Sequence, residues 1–212
     1  MLTVHHLGIS QSERIVWLCE ELQLEYDFKR YNRRADNNLA PDEYKALHPM
    51  GLAPVIQDGN LILGESGAIC DYIDRKYGGS MHSPDPGHAD FADHLFWFHF
   101  ANGTVMTNGM MQLMLSRADA NNPGPMAYVS DRTAKAWMMI EQRLAEAEFF
   151  GGGQLTTADI MMLFGLTTAR LSGGVTLDDK PNTADYLKRI GERPAYQAAW
   201  AKCEPGMPPK LD

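Results

Sequence analysis

Two serines stand one residue apart in Ser10-Gln11-Ser12-Glu13-Arg14, directly before a stretch with helical periodicity. Hydroxyls at such a place have two uses. A helix start leaves backbone N–H groups without partners, and Ser10 with Glu13 three residues on fits a capping box. The same N–H groups and the positive end of the helix dipole attract an anion, and a serine O–H can donate to a bound thiolate. Glu65-Ser66 is open to the same two readings. Acid and hydroxyl side chains favour a first helical turn, while Ser66 with exposed N–H groups would hold a ligand carboxylate. Thr156 with Asp159, flanked by Leu155 and Ile160, makes a capping box with a hydrophobic staple and is read as structural.

Other chemistry is poorly served. His5, His6, His94 and His99 lack the HExxH spacing, so no metal is expected. Cys19, Cys70 and Cys203 form no CxxC, which excludes a dithiol motif and fits a reducing compartment. No GxSxG, Walker loop or dinucleotide fingerprint occurs. The basic run Lys29 to Arg34 reads as a solvated strand end that can also attract an anionic ligand group. Met106, Met110, Met111 and Met114, with Phe98 and Asn102, fall on one periodic stretch. Core packing is the default there, yet Met-rich surfaces also accommodate varied apolar ligands.

The 212 residues carry a net charge of −8, with 19 Lys+Arg against 27 Asp+Glu. Residues 1–79 hold 8 basic and 12 acidic groups, and residues 80–212 hold 11 and 15, so neither part is a basic arm and nucleic acid is not an expected partner. No apolar run approaches the roughly 18 residues of a membrane span, and the first dozen residues do not form a signal segment. The chain reads as soluble and cytoplasmic.

The positioning elements follow from periodicity. Leu2 to Leu7 reads as a strand, Ser12 to Leu22 as an amphipathic helix, and Tyr26 to Tyr31 as a second strand. Asp58-Gly59-Asn60 between two short apolar runs signals a hairpin, with Pro54 at a strand's first residue. A further helix from Glu65 ends at Gly78-Gly79. The stretch 80–88 reads as a linker. Beyond it the pattern is helical: Asp90 to Arg117 with bends at Gly103 and Gly109, a break at Pro123-Gly124-Pro125, then Met126 to Phe150, Thr156 to Leu171, Thr183 to Ile190 and Pro194 to Lys202.

In this order the motifs resemble the cytosolic glutathione transferases, serine-type and theta- or phi-like, over essentially the whole chain. Ser10 to Arg14, Pro54, Glu65-Ser66-Gly67-Ala68-Ile69 and Leu155 to Ile160 carry the resemblance, and the run Leu39-Ala40-Pro41 to His48-Pro49-Met50-Gly51 is similar to bacterial and fungal members. The resemblance implies an α/β thioredoxin-like N-terminal domain (1–79), a linker (80–88) and an all-α C-terminal domain (89–212), assembled as a homodimer. It implies a detoxifying enzyme with glutathione as substrate and no metal. Ser10 would activate the thiol, with Ser12 as rival. Ala53 and a cis Pro54 would pair with the cysteinyl part, and Glu65 and Ser66 would hold the γ-glutamyl amine and carboxylate. Leu52 stands where many relatives carry Lys for the glycyl carboxylate, so His48, or Arg33 and Arg34, would replace it. The electrophile would lie near Ile9, Asn102, Met106 and Met110. A hydrogen bond to a charged group contributes about 1.5–3 kcal/mol and a helix start about 0.3–1 more, which lowers a thiol pKa by roughly one to three units. The implied reaction is conjugation to a small apolar electrophile, or peroxide reduction. Alternatives are a zeta-like maleyl isomerase, on the likeness of Ser10-Gln11-Ser12 to a Ser-Cys-Ser turn, and a non-catalytic binding or regulatory module.

Overall fold

Strand β1 (Leu2–Leu7) is paired along both edges and buried along almost its whole length. It pairs in parallel with β2 (Asp27–Tyr31) and antiparallel with β3 (Val55–Asp58), and β3 pairs antiparallel with β4 (Leu61–Gly64), giving the order β2-β1-β3-β4. The computed structural model describes residues 1–118, 123–172 and 175–212. They divide into two units, Met1–Asp85 with Ile190–Pro209, and Pro86–Arg189 with Lys210–Asp212.

In the first unit the strand period of two sends neighbouring histidines of β1 to opposite faces. His5 meets the Tyr31 hydroxyl at 3.0 Å, and His6 meets Ser12 Oγ at 2.9 Å. On the side of His5, Leu7, Ala40, Tyr44 and Val55 form a buried cluster. Helices α1 (Glu13–Glu21) and α3 (Ser66–Lys76) pack against each other and bury Ile15, Leu18, Cys19, Ile69, Cys70 and Ile73. The result is the thioredoxin-like mixed sheet with helices. Gly59, at φ +58, takes the positive dihedral that a two-residue hairpin demands. A one-turn helix, α2 (Asp42–Lys45), interrupts what reads as loop in the sequence. Tyr44 is its single buried side chain, too little for a periodicity to register.

The second unit is helical: α4 (Phe91–Phe100), a π-helical turn (Ala101–Met106), α5 (Thr107–Arg117), α6 (Pro123–Glu146), α7 (Thr157–Leu166), a 3-10 turn (Thr168–Ser172) and most of α8 (Pro181–Gly191). Phe150 stacks at 5.1 Å on both Trp97 and Tyr186 within its core. The capping box forms: Ala158 N donates to Thr156 Oγ1 at 3.2 Å and Thr156 N donates to Asp159 Oδ2 at 2.9 Å. Asp159 also accepts from Phe150 N at 2.8 Å and the Tyr186 hydroxyl at 3.2 Å. Burial pushes its carboxyl up, against those three donors and the Thr156 hydroxyl, which donates to Oδ2 at 3.1 Å.

Two expectations change. The 90–117 stretch is no single α-helix, because the π-helical turn places an extra residue in the ladder. Pro123 does not break the chain but begins α6, where a missing N–H costs nothing. Helix α9 (Pro194–Cys203), within the stretch 89–212 read as all-α, packs on α1 in the first unit. Trp17 meets Tyr196 edge-on at 5.5 Å, and Arg193 grips both oxygens of Glu21 at 2.7 and 2.8 Å.

Asp58, at the end of β3, ties down the last turn of α3. It accepts from Tyr72 (2.7 Å), Lys76 (2.6 Å) and Tyr77 (2.6 Å). The Lys76 ammonium, then the two phenols, hold its carboxyl below the usual range. A carboxyl depressed in the folded state contributes stability that is complete above its unfolded pKa, about 3.9, and is lost as pH falls below it. Asp58→Asn is therefore expected to lower Tm at pH 7, with the gap from wild type closing below about pH 4. A gap independent of pH would refute the charge-based account.

Candidate active site

The turn between β1 and α1 is held from three sides. Ile9 lies at φ +51, a left-handed conformation that a β-branched residue rarely adopts. Its N–H donates to Glu204 Oε1, just past α9, and its carbonyl accepts from Arg33 Nη2 at 2.9 Å. Arg33 Nε donates to Gly8 O at 2.8 Å, and Gly8 N donates to Tyr31 O at 3.0 Å. Strain of this kind persists where the surroundings over-determine it, and Ser10 is the next residue.

Ser10 Oγ donates to Leu7 O at 2.6 Å and lies 2.7 Å from Ser12 Oγ. The expected capping box is not made: the α1 N-cap is Ser12, and no side chain caps it. Ser12 Oγ accepts from Leu7 N at 3.1 Å and pairs with His6 Nδ1 at 2.9 Å. His6 Nε2 reaches Glu204 Oε1 at 3.2 Å, and Arg30 Nη2 reaches Glu204 Oε2 at 3.1 Å. Burial alone would raise the Glu204 carboxyl, but donation from His6, the Ile9 amide and Arg30 holds it below its ordinary value. Ser12 is fully buried, whereas Ser10 keeps 6% of its surface open.

A second constellation forms where β4 meets α3. Glu65 stands at φ +71 with its side chain exposed and no cap bond from it, so the helix-start reading does not explain it. Ser66 Oγ accepts from Arg14 Nη1 at 3.1 Å and donates to Gln11 Oε1 at 3.3 Å. Burial pushes the Arg14 guanidinium down to about 10, against the pull of Cys70 and Glu13, so it stays cationic at neutral pH. The Ala53–Pro54 peptide is cis. Leu52 is 61% exposed and apolar, with nothing to offer a carboxylate.

Of the proposed substitutes for a lysine at 52, the arginines are engaged elsewhere. Arg33 serves Gly8, Ile9 and Asn38 carbonyls, and Arg34 forks onto Asp36 at 2.9 and 3.0 Å. His48 Nδ1 accepts from Met50 N at 3.3 Å, and its ring lies over Gly64, where a Cβ would meet Cε1 at 3.3 Å. Ile9 exposes its side chain beside Ser10. In the second unit, Asn102 and Met106 sit half-buried in the π-helical turn, and Met110 is 53% exposed on α5. Met106 turns its sulfur toward Gly165 of α7, so it serves packing there. Gln11, Arg14, His6 and Glu204 were not singled out for the site from sequence, and Arg33 was read only as a contact for the glycyl carboxylate. Glu204 lies 194 positions beyond Ser10 with no motif of its own.

Arg33→Ala removes two charged donors from the turn, at Gly8 O and Ile9 O, and a third from Asn38 O, each worth about 1.5–3 kcal/mol before discount for partial exposure. Faster amide hydrogen exchange at Ile9 and Ser10 is expected, with a stability loss of about 1–2 kcal/mol. Unchanged exchange would show that the arginine does not hold the turn.

Comparison with known proteins agrees with this geometry. A family model for the glutathione S-transferase N-terminal domain matches residues 10–76, and one for the C-terminal domain matches residues 111–194. Glutathione S-transferase 3 of Schizosaccharomyces pombe is 31% identical over 96% of this chain and 88% of its own length. Glutathione S-transferase 1 of Saccharomyces cerevisiae is 31% identical over 95% of each chain. A glutathione S-transferase structure from Actinobacillus pleuropneumoniae superposes with a TM-score of 0.88 at 31% identity, covering 96% of this chain and 93% of that one. A glutathione transferase from Phanerochaete chrysosporium, solved with oxidized glutathione, shares the fold at a TM-score of 0.76 and 21% identity, over 95% and 94% of the two chains. By its fold, its motifs and these matches, the chain belongs to the glutathione S-transferase family.

Proposed function

We propose that this family member binds glutathione on its first unit and activates the thiol with the Ser10 hydroxyl, for transfer to a small apolar electrophile. The observation that carries the reading is the pair of serines. Both lie at the turn before α1, the Ser12 side chain caps nothing, the Ser10 oxygen accepts only a long bond from Ser12 N at 3.3 Å, and Ser10 alone keeps an open edge. The γ-glutamyl group would meet Ser66 beside the Arg14 cation, with Glu65 facing its amine, and Ala53 before cis Pro54 would receive the cysteinyl backbone. His48 would meet the glycyl carboxylate, since Arg33 and Arg34 have other partners. Exposed Ile9, next to Ser10, offers apolar contact to the electrophile. A homodimer in the cytoplasm is the assembly and location we assign. Among the described residues, no helix is long and apolar enough to cross a membrane and no group of side chains could hold a metal ion.

The energetics can be narrowed from the geometry. To reach a thiolate, the Ser10 proton must swing away from Leu7 O. That exchanges a neutral hydrogen bond, about 0.5–1.5 kcal/mol net, for one to a charged sulfur, about 1.5–3 kcal/mol. Adding about 0.3–1 kcal/mol from the helix start leaves roughly 1–2 kcal/mol, or about one pKa unit. A thiol near 8.5 is brought toward 7, where thiolate is abundant at neutral pH. Holding that nucleophile against an electrophile supplies the remaining catalysis through proximity.

Ultraviolet titration of the glutathione thiolate in wild type, Ser10→Ala and Ser12→Ala tests the reading. A depressed thiol pKa that rises by about one unit in Ser10→Ala is expected. No depression in wild type sinks the activation reading, and a loss confined to Ser12→Ala moves the role to Ser12. Separately, His48→Ala should weaken glutathione binding about ten- to a hundredfold, the cost of one charged hydrogen bond. Unaltered affinity would remove His48 from the site.

A further inference from the structure

The hydrogen bonds behind Ser10 form a directed chain that ends on a residue far away in sequence. Glu204 is almost fully buried at the end of α9. Its Oε1 accepts from His6 Nε2 (3.2 Å) and from the Ile9 N–H, and its Oε2 accepts from Arg30 Nη2 (3.1 Å). Arg30 also donates through Nε to Cys203 O at 2.7 Å, which fixes the guanidinium against the same turn of chain.

The direction of every proton follows from the carboxylate. An ionised carboxylate has only acceptors, so the facing nitrogen of His6, Nε2, must carry a proton. Arg30 already balances the carboxylate charge, so the ring need not be a cation. In a neutral imidazole the other nitrogen is then an acceptor. That nitrogen, Nδ1, lies 2.9 Å from Ser12 Oγ, so Ser12 must donate its one hydroxyl proton to it. Ser12 Oγ then accepts from Leu7 N (3.1 Å) and from the Ser10 hydroxyl (2.7 Å), whose one proton is shared with Leu7 O (2.6 Å). Ser12 has no proton left for a ligand. Ser10, whose proton is shared between Leu7 O and Ser12 Oγ, is the hydroxyl that can turn outward.

We propose that Glu204 is a positioning residue for thiol activation: it selects the Nε2–H tautomer of His6, thereby takes the Ser12 proton out of play, and pins the Ile9 amide so that Ser10 is the donor presented to sulfur. The inference rests on the Ser10 reading above and extends it to residues that touch no substrate. It also explains why a two-serine turn has one working hydroxyl.

The test joins histidine nitrogen NMR to the thiolate titration. With 15N-labelled histidine, the wild-type His6 ring is expected in the neutral Nε2–H form. Glu204→Gln presents an amide in place of the carboxylate and should lose that tautomer preference. It should also raise the bound thiol pKa by about one unit, roughly tenfold less thiolate below the pKa. Glu204→Asp keeps the charge and should retain the tautomer and recover most of the thiol shift. A wild-type His6 ring with its proton on Nδ1, or on both nitrogens, overturns the inference with no variant needed. So does a Glu204→Gln protein whose Tm falls while tautomer and thiol pKa stay put. Ser10→Ala run alongside separates the two ideas. An unmoved thiol there sinks the Ser10 reading, whereas a shifted thiol there beside an unmoved one in Glu204→Gln sinks only this inference.

Discussion

Ile9 at φ +51 is the constraint on which the site depends. A β-branched side chain in the left-handed region is unfavourable by roughly 1–3 kcal/mol, so the conformation exists only because its neighbours impose it. Arg33 holds the carbonyl side and Glu204 the amide side. Relaxing Ile9 into an ordinary strand dihedral would carry β1 onward and take Ser10 away from Leu7, Ser12 and the start of α1. The reactive turn is thus a bent piece of chain whose shape is enforced by two charged side chains from β2's far end and from α9.

Polar groups bind the rest of the site in the same manner. Arg14 is wholly buried yet cationic, and it joins α1 to α3 through Ser66 and Gln11. A buried cation is tolerable only among hydrogen-bonding partners, and here those partners tie the two helix starts together. Asp58 fixes the far end of α3 with three donors, so both ends of that helix are held. Apolar packing of Ile69, Cys70 and Ile73 fixes where α3 lies; these polar contacts fix how it is turned.

What could be read from the sequence was what is local. Strand and helix positions in the first eighty residues followed from periodicity and turn residues, and the Thr156–Asp159 box was legible because its partners are three residues apart. Ser10, Pro54, Glu65 and Ser66 were visible as short motifs whose structural and ligand-holding uses look alike on paper. The missing parts are non-local. Glu204 needs α9 to fold back onto α1, and nothing in Pro194 to Cys203 distinguishes that from another helix of the all-α part. The π-helical turn at Ala101–Met106 leaves apolar spacing almost unchanged, so a run of residues read as one helix was two. Arg33 looked available for a ligand because its true acceptors are backbone carbonyls, which no side-chain pattern reveals.

The return of α9 to the first unit also orders events during synthesis. A chain made from its N-terminus exposes β1, α1 and the serine turn well before Glu204 exists. At about 5–20 residues per second, the interval between Asp85 and Glu204 is on the order of ten seconds. During that time His6 lacks its carboxylate, the Ile9 amide lacks its acceptor, and the apolar face of α1 around Trp17 waits for Tyr196. The serine turn is therefore made before the groups that fix its shape.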